Sequence, residues 1–377
     1  MDFRLDPVHT PIMHTTQRLT ASLTPLDVAL AALLRDVAPV GPGKRARQKA
    51  GGGDWTEMAE LAAWPPHDVA AVDGWALRAS DLVGASSYAP LPLRRAPPWV
   101  EAGDRIPDGC DCVLDEDSVD RTGPMAQALA EAIPGQGIRR KGLEIADPGR
   151  IAAAWRLGDH RDAARRPRLR PRLRVVNSPS GTTTAKLVAR SLREAGIDVV
   201  TLEAAARDAA SIAERFDGGD CDLLLAIGGT GVGRSDAAVL ALSKRGEVIA
   251  HGLALQPGRT AAVARIGRTP VIAMPGALDQ ALAVWWTMVA PTLDKLAGLR
   301  RKTASRPLAR KIASSVGIAE VVLLEDSDDA WTPLAVGDLT LGIVARASAW
   351  LLVPGTSEGY AAGTLVDAYV WRERALR

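Results

Sequence analysis

The sequence predicts a multidomain α/β protein in which a central doubly wound, mostly parallel sheet is accompanied by β-rich accessory domains. Between residues 173 and 298, apolar strand-like runs alternate with helix-like segments, which is typical of a parallel sheet covered by helices on both faces. Turn residues surround short apolar runs near residues 99–116, and alternating apolar and polar residues end the chain. A chain of 377 residues also exceeds the usual size of one core.

The composition is that of a soluble globular protein, with 47% hydrophobic and 24% charged residues and a net charge of +2. This near-neutral balance gives no overall argument for binding nucleic acid or a membrane. No apolar run approaches the roughly 20 residues of a membrane span, and the polar residues 1–20 lack a signal-peptide core. We therefore expect a cytoplasmic protein that uses neither partner.

The three cysteines, Cys110, Cys112 and Cys221, are too few and too poorly spaced for a zinc site or a disulfide framework. A Cys-x-Cys pair usually consists of two small buried residues, and a redox or metal pair is the rarer alternative.

The N-terminal part is expected to contain a loose arm, one helix and a mobile loop. Residues 1–22 show no clear period, and residues 40–54 are rich in glycine and basic residues. Between them a helix is expected to start with Thr24 as its cap and Pro25 in its first turn. Its apolar face would consist of Leu26, Leu30, Leu33, Leu34 and Val37.

The Asp73-Gly74 pair predicts a tight turn that leaves a carboxylate projecting from a loop. Taken alone, such a pair is usually only a turn. Residues 165–174 carry six arginines between apolar residues and prolines. They could form a solvated linker face, an RNA-binding strip, or a strip that attracts the phosphate of a ligand.

The central feature of the sequence is an apolar run, residues 223–227, followed by four glycines in six residues: Gly228, Gly229, Gly231 and Gly233. The run predicts a buried parallel strand, and a helix is expected from about Asp236. Glycines let the backbone approach an anion, and helix N-terminal amides favour one. The spacing matches neither the dinucleotide fingerprint nor a P-loop. The stretch is therefore either a phosphate site or a plain structural turn.

Other elements place this loop at one edge of the sheet. Strands are expected at residues 173–176 and 198–202, and helices at residues 183–195 and 208–216. In such a sheet, ligands bind at the carboxyl ends of the strands. The loops at residues 177–184, 228–236 and 275–279 should therefore converge on one crevice.

Residues 228–236, Gly-Gly-Thr-Gly-Val-Gly-Arg-Ser-Asp, resemble the loop of the molybdopterin-binding fold shared by MoeA, MogA and gephyrin. Three further stretches favour the MoeA-like molybdopterin molybdotransferases, which include the gephyrin E domain. Residues 65–81 resemble the family signature at Asp68, Asp73, Gly74 and Asp81. Residues 100–116 are similar to a second family pattern, and residues 253–259 resemble its Lys-Pro-Gly-Lys segment.

The resemblance implies four domains in an elongated homodimer. They are an N-terminal and linker domain (residues 1–60 and 137–171), a small inserted β-rich domain (61–136), the molybdopterin-binding domain (172–299) and a C-terminal β domain (300–377). It further implies a MogA-like adenylyltransferase and molybdoenzymes as partners.

The activity that the resemblance implies is insertion of molybdate into adenylated molybdopterin, with Mg²⁺ and with release of AMP. The implied catalytic residues are Asp73, Asp236 and Arg259, and the implied Mg²⁺ ligands are Asp73, Asp236 and Asp208. The implied ligand-binding residues are Gly228, Gly229, Thr230, Gly231, Gly233, Ser235, Pro257, Gly258, Pro275 and Gly276.

Several departures from the family fall within the same loops. Ser180 stands in a loop that has carboxylates in the family, Gln256 and Arg259 replace two lysines, and Ala277 replaces an asparagine. Arg259 keeps a positive charge as a planar fork, whereas Gln256 does not. Two functional hypotheses follow: a divergent transferase, or a non-catalytic carrier of molybdopterin or the finished cofactor. In a third, weaker interpretation the fold is a dimeric scaffold that binds nothing.

Overall fold

The structure is a computed structural model and describes residues 17, 22–41, 65, 67–123, 125–142, 151, 153–155, 171–179, 182–297 and 301–371. Within these ranges the strands form six sheets, and helices accompany the larger ones. No helix in the described ranges combines the length and hydropathy of a membrane span. The arginines from 165 to 170, Ser180 and most of the loop at residues 40–54 lie outside the described residues.

The helix predicted after Thr24 is present, but its predicted cap is wrong. Strand β1 (Thr24–Pro25) leads into helix α1 (Leu26–Leu34), and Pro25 occupies the N-cap position without a side-chain hydrogen bond. Thr24 instead pairs with Leu253 in a sheet, which holds it in extended geometry. The predicted apolar face is confirmed, since it packs into the largest core through Leu26, Leu30, Leu33, Leu34 and Val37.

A small β unit, made of strands β2 to β9 between residues 69 and 139, consists of three antiparallel sheets. The strands are β2 (Val69–Ala70), β3 (Gly74–Leu77), β4 (Ser86–Pro92), β5 (Trp99–Val100), β6 (Cys112–Leu114), β7 (Val119–Asp120), β8 (Gln127–Ala130) and β9 (Ile138–Arg139). Trp75, Leu82 and Cys112 lie in its core, whereas Cys110 is half-buried. The β-rich character predicted for this region is confirmed.

The central sheet has the order β11-β10-β12-β16-β15-β13. Its first four strands run parallel, and β15 and β13 are antiparallel. The elements of this segment are β10 (Arg172–Asn177), α2 (Thr182–Glu194), β11 (Asp198–Glu203), α3 (Ala209–Phe216), β12 (Leu223–Ile227), α4 (Ala238–Ser243), β13 (Glu247–His251), β14 (Leu253–Gln256), β15 (Ala262–Ile266), β16 (Thr269–Met274), α5 (Leu278–Val284), a π-helical turn (Trp285–Val289) and α6 (Ala290–Ala297).

The central strand β12 is buried on both faces, as the continuous apolar run predicted. Because side chains alternate along a strand, Leu225 lies in the core that contains Val188 of α2, and Leu224 lies in the core that contains Phe216 of α3. Helices therefore cover both faces of the sheet, which confirms the doubly wound architecture.

The C-terminal segment forms a seven-stranded sheet of order β1-β14-β19-β21-β23-β17, with β20 paired to β19. Its remaining elements are β17 (Thr303–Pro307), β18 (Ile312–Ala313), β19 (Ala319–Ser327), β20 (Ala330–Val336), α7 (Leu341–Arg346), β21 (Ala349–Val353), β22 (Gly359–Tyr360) and β23 (Leu365–Val370). β23 confirms the strand predicted at the chain's end. Since β1 and β14 join this sheet from distant segments, the domain boundaries stay predictions.

A column of aromatic rings joins the π-helical turn to this C-terminal sheet. Trp286 stacks between Trp350 and Trp371, with ring centroids 5.2 Å and 5.1 Å away, and Trp350 stacks on Tyr369 at 4.7 Å. The indole nitrogen of Trp286 donates to the carbonyl of Ala154 at 2.9 Å. The column thus anchors the helical segment that follows β16.

Candidate binding site at the glycine-rich loop

The glycine-rich loop (residues 228–236) follows β12 at the sheet edge where β10 and β16 also end. The amide of Ser178, after β10, donates to the carbonyl of Ile227 at 2.8 Å. The hydroxyl of Thr184 donates to the carbonyl of Gly276, after β16, at 2.6 Å. The three loops expected at the carboxyl ends of these strands therefore lie next to one another, and the crevice between them stays a prediction.

The loop requires glycine at its start, and the helix that follows it begins later than we expected. Gly228 and Gly229 have φ values of 85° and 70°, which favour glycine. Helix α4 begins at Ala238, two residues later than predicted. Its first amides are already paired, because Ala238 N donates to Gly229 O and Val239 N donates to Oε1 of Gln17. These two amides are therefore not free to bind a ligand.

The loop's own amides replace them as candidate donors to an anion. Nε2 of Gln17 donates to the carbonyls of Gly229 and Gly231 at 2.8 Å and 2.5 Å. Nε2 of His251 donates to the carbonyl of Thr230 at 2.9 Å, since a carbonyl can only accept. In a trans peptide the N–H points opposite to the C=O. Within the described part of the chain, the amides of residues 230–232 have no acceptor. Such consecutive N–H groups can form an anion-binding nest.

Three carboxyl groups meet beside this loop. A Cβ atom placed on Gly233 would lie 3.1 Å from an oxygen of Asp73, from an oxygen of Asp236 and from the carboxyl carbon of Glu101. Asp73 and Glu101 come from the small β unit, and Asp236 comes from the loop itself. Two of the three sequence-predicted carboxylates, Asp73 and Asp236, are therefore brought together, and Glu101 joins them.

Burial is the main cause of the perturbed acidity in this cluster. Burial, together with the smaller effect of the charges of Asp73 and Glu101, raises the pKa of Asp236 from 3.8 to about 6, although a hydrogen bond from Gly233 N lowers it. Burial also raises the pKa of Asp73, although the amide of Ala102 donates to it at 2.8 Å. A strongly perturbed pKa in a crevice is typical of functional sites.

Ser235 fastens the loop to the small β unit. Its amide donates to Oε1 of Glu101 at 2.8 Å, and its hydroxyl donates to Oε2 of the same carboxylate. Nη1 of Arg207 contacts the Ser235 hydroxyl at 3.2 Å and Asp104 at 3.7 Å. Ser235 is therefore held by protein groups instead of standing free for a ligand.

Arg234 makes a second attachment of the loop to the same unit. Its guanidinium lies 4.3 Å from the ring centre of Trp99 and 5.6 Å from that of Trp75. Glu116 pairs with it at 3.8 Å. Cation–π contacts at exposed sites contribute about 0.5–1 kcal/mol each, so Arg234 is a modest but specific anchor.

The segment that resembles Lys-Pro-Gly-Lys borders the loop. Pro257 and Gly258 are buried, Arg259 is exposed, and the hydroxyl of Thr260 lies 3.4 Å from that of Thr230. No contact between described residues links the Arg259 side chain to Asp73 or Asp236.

The last converging loop contains Pro275, Gly276 and Ala277. Ala277 occupies the N-cap of α5 without a side-chain bond, so this departure leaves a helix cap unsatisfied. Asp279, in the first turn of α5, pairs with Arg139 of β9 at 3.0 Å. The small β unit therefore also contacts this loop.

Asp208 has a structural role in the described chain. It caps α3, and its carboxylate accepts from the amides of Ala210 and Ser211 and from the Ser211 hydroxyl. These hydrogen bonds hold its pKa below the usual value. Among the described residues, no group of three or more His, Cys, Asp or Glu side chains is arranged to hold a metal ion. The assignment of Asp208 as a metal ligand stays a prediction.

Sequence reasoning missed Gln17, Glu101, Arg207 and His251. Gln17 and His251 reach the loop from distant segments of the chain, and no local period or motif marks them. Only Glu101 carried a signal, since it lies within residues 100–116, the stretch that is similar to a family pattern.

Comparison with known proteins agrees with these observations. Residues 58–160 match the model of the MoeA N-terminal region (domain I and II), and residues 176–295 match that of a probable molybdopterin binding domain. A putative molybdopterin biosynthesis protein, MJ0666 of Methanocaldococcus jannaschii, is 29% identical over 149 residues, covering 40% of this chain. The match spans 36% of the length of that relative.

Molybdopterin molybdenumtransferase 2 of Mycobacterium tuberculosis is 27% identical over 327 residues, which cover 72% of this chain and 78% of the relative. The crystal structure of a MoeA protein from Pyrococcus horikosii aligns over 94% of this chain and all of its own, with 18% identity and a TM-score of 0.49. Because the two matched family models follow one another along a single chain, as the N-terminal and the molybdopterin-binding parts, the protein is a member of the MoeA-like family.

Proposed function

We propose that this chain is a molybdopterin molybdenumtransferase, which inserts molybdate into adenylated molybdopterin and releases AMP. The observation that carries the proposal is the meeting of the glycine-rich loop with Asp73 of the small β unit, since this contact gathers carboxylates and unpaired amides in one crevice. The matched family models and the name of the Mycobacterium tuberculosis relative support the same activity.

In this proposal the loop binds the phosphate end of the adenylated substrate. The amides of residues 230–232 would donate to phosphate oxygens, with Gly228 and Gly229 allowing close approach. Gly233, Pro257, Gly258, Pro275 and Gly276 would line the same crevice. Arg207, which contacts Ser235, would add positive charge beside the loop.

Asp73 and Asp236 fit a Mg²⁺ site. Mg²⁺ is commonly bound by one or two carboxylates together with substrate phosphates, and two carboxyls whose pKa values are raised are an energetically favourable place for a cation. The bound ion would screen the phosphate charge. The chain's own contribution is to hold both carboxylates beside Gly233 through the amides of Ala102 and Gly233.

Arg259 is proposed to attract molybdate. Its guanidinium is permanently charged and exposed, and its neighbour Thr260 touches Thr230 of the loop. We further propose a cytoplasmic homodimer that receives its substrate from a MogA-like adenylyltransferase and serves molybdoenzymes.

The direct test is incubation of the purified protein with adenylated molybdopterin, molybdate and Mg²⁺, followed by measurement of AMP. We expect molybdate-dependent release. Asp73→Asn should lower the rate by about 100-fold, because it removes a charge from the proposed metal site, and should leave pterin binding within about threefold. Asp108→Asn is the matched control, since Asp108 is almost fully exposed. Unchanged AMP release in Asp73→Asn would remove Asp73 from the metal site.

A non-catalytic carrier of molybdopterin is the second candidate. It is favoured by Gln256, which stands where the family has a lysine and carries no positive charge, on β14 opposite Glu320 of β19. A carrier would co-purify with a pterin and fail to rescue a strain that lacks the transferase, whereas rescue would exclude it.

A further inference from the structure

We infer that Gln17, from the N-terminal segment, is a positioning residue that orients the glycine-rich loop for a phosphate or pyrophosphate group. The inference rests on the proposed function, in which the loop amides bind the phosphate end of the substrate. It adds a residue that lies outside both matched family models, which begin at residues 58 and 176.

The side chain of Gln17 is buried and makes three hydrogen bonds with the loop region. It is 3% exposed, and Nε2 donates to the carbonyls of Gly229 and Gly231 while Oε1 accepts from the amide of Val239. A rotated amide would place Oε1 against two carbonyl oxygens, so the contacts fix its orientation.

These contacts decide which side of the loop is open. The carbonyls of Gly229 and Gly231 both point towards Nε2 of Gln17. Because the peptide bonds are trans, the N–H groups of Thr230 and Val232 point to the opposite side. His251 does the same for the N–H of Gly231 by binding the carbonyl of Thr230. The donors that a phosphate would use are thereby kept from turning inward.

The chemistry of the contact suits glutamine. An amide supplies two donor hydrogens for the two carbonyls and one acceptor for Val239 N, whereas a carboxylate cannot donate and a methionine offers neither function. Asparagine keeps the chemistry but is one methylene shorter. Substitutions at this one position can therefore separate hydrogen bonding from the filling of space.

The experiment compares full-length wild type with Gln17→Met, Gln17→Glu and Gln17→Asn, using inorganic pyrophosphate as the probe. Amide hydrogen exchange is measured without ligand at Gly233 and Val239, whose amides donate to Asp236 and to Gln17, and pyrophosphate affinity is measured by titration at fixed ionic strength. Gln127→Met, in β8 of the small β unit, is the matched control. A global thermal melt identifies any variant that fails to fold.

We expect Gln17→Met and Gln17→Glu to speed exchange at Gly233 and Val239. They should also weaken pyrophosphate binding by about tenfold or more, since misplaced loop amides lose hydrogen bonds to a charged group. Gln17→Asn should fall between them and the wild type, and it serves as the test if the other two unfold. The control should match the wild type.

Wild-type exchange and affinity in Gln17→Met or, if that variant does not fold, in Gln17→Asn would overturn the inference. The proposed function fails in a different way. If wild type shows no pyrophosphate binding, the phosphate assignment of the loop falls, while the exchange rates measured without ligand still decide whether Gln17 orients the loop.

Discussion

Among single residues, Asp236 has the clearest consequence for stability. Its pKa is about 6 when folded, against 3.8 without the fold, so the folded state binds this proton more tightly. This contribution to stability is fully present below about pH 3.8 and is lost as the pH rises through about 6. At neutral pH the partly buried charge opposes folding.

Asp236→Asn should therefore raise the free energy of unfolding at pH 7–8. One pKa unit corresponds to about 1.4 kcal/mol, and the residual exposure of Asp236 reduces the gain to about 1–2 kcal/mol. Urea unfolding from pH 4 to pH 8 checks this, and the difference in free energy of unfolding between Asp236→Asn and the wild type should vanish near pH 4. A constant difference across that range would assign the effect to packing.

Asp73 and Asp236 could be singled out from the sequence because each belongs to a short stretch that resembles a family motif. Gln17 and Glu101 could not be, because their roles depend on contacts with residues 229 and 235, far along the chain. A local pattern carries no information about such pairings. The prediction of Thr24 as the helix cap was wrong for the same reason, since Thr24 pairs with a strand that is distant in the sequence.

On the scale of elements, the glycine-rich loop and the small β unit leave little room between them at Gly233. Gly233→Ala would place a methyl group 3.1 Å from three carboxyl groups, which must then move apart. We expect loss of molybdate-dependent AMP release and about 1–3 kcal/mol of destabilisation.

The control for this substitution is Gly342→Ala in α7, where an added Cβ meets nothing within 4 Å. It should stabilise the protein by up to about 0.5–1 kcal/mol, because alanine loses less backbone entropy in a helix. Normal AMP release in Gly233→Ala would show that the carboxyl groups can separate without harm, and that their spacing does not set the activity.

Elements with a strong period were predicted well. β12 has the predicted bounds, and α2 begins and ends within one residue of the prediction. The exception is β14. Its sequence belongs to the stretch that resembles the ligand-binding segment, but the strand pairs with β1 and β19. Strand pairing depends on tertiary context, which no stretch of sequence contains by itself.

On the scale of the whole molecule, the aromatic column decides how firmly the central and C-terminal segments hold together. Trp286→Ala removes a ring stacked on two others and a hydrogen bond to Ala154. We expect a loss of about 3–5 kcal/mol in the free energy of unfolding, measured with urea. Tyr88→Ala, at a position 99% exposed, should change it little. Equal effects of the two would contradict a role for the column.

The same column gives the protein a built-in optical signal. Indole rings stacked 5.1–5.2 Å apart couple their electronic transitions, so Trp286 with its two neighbours should produce a circular dichroism band that reports docking of the C-terminal sheet. The separate pair of Trp75 and Trp99, 4.9 Å apart beneath Arg234, should fluoresce according to the position of the glycine-rich loop. Docking of the C-terminal sheet and movement of the loop could thus be followed in one unlabelled sample, the first by circular dichroism and the second by fluorescence.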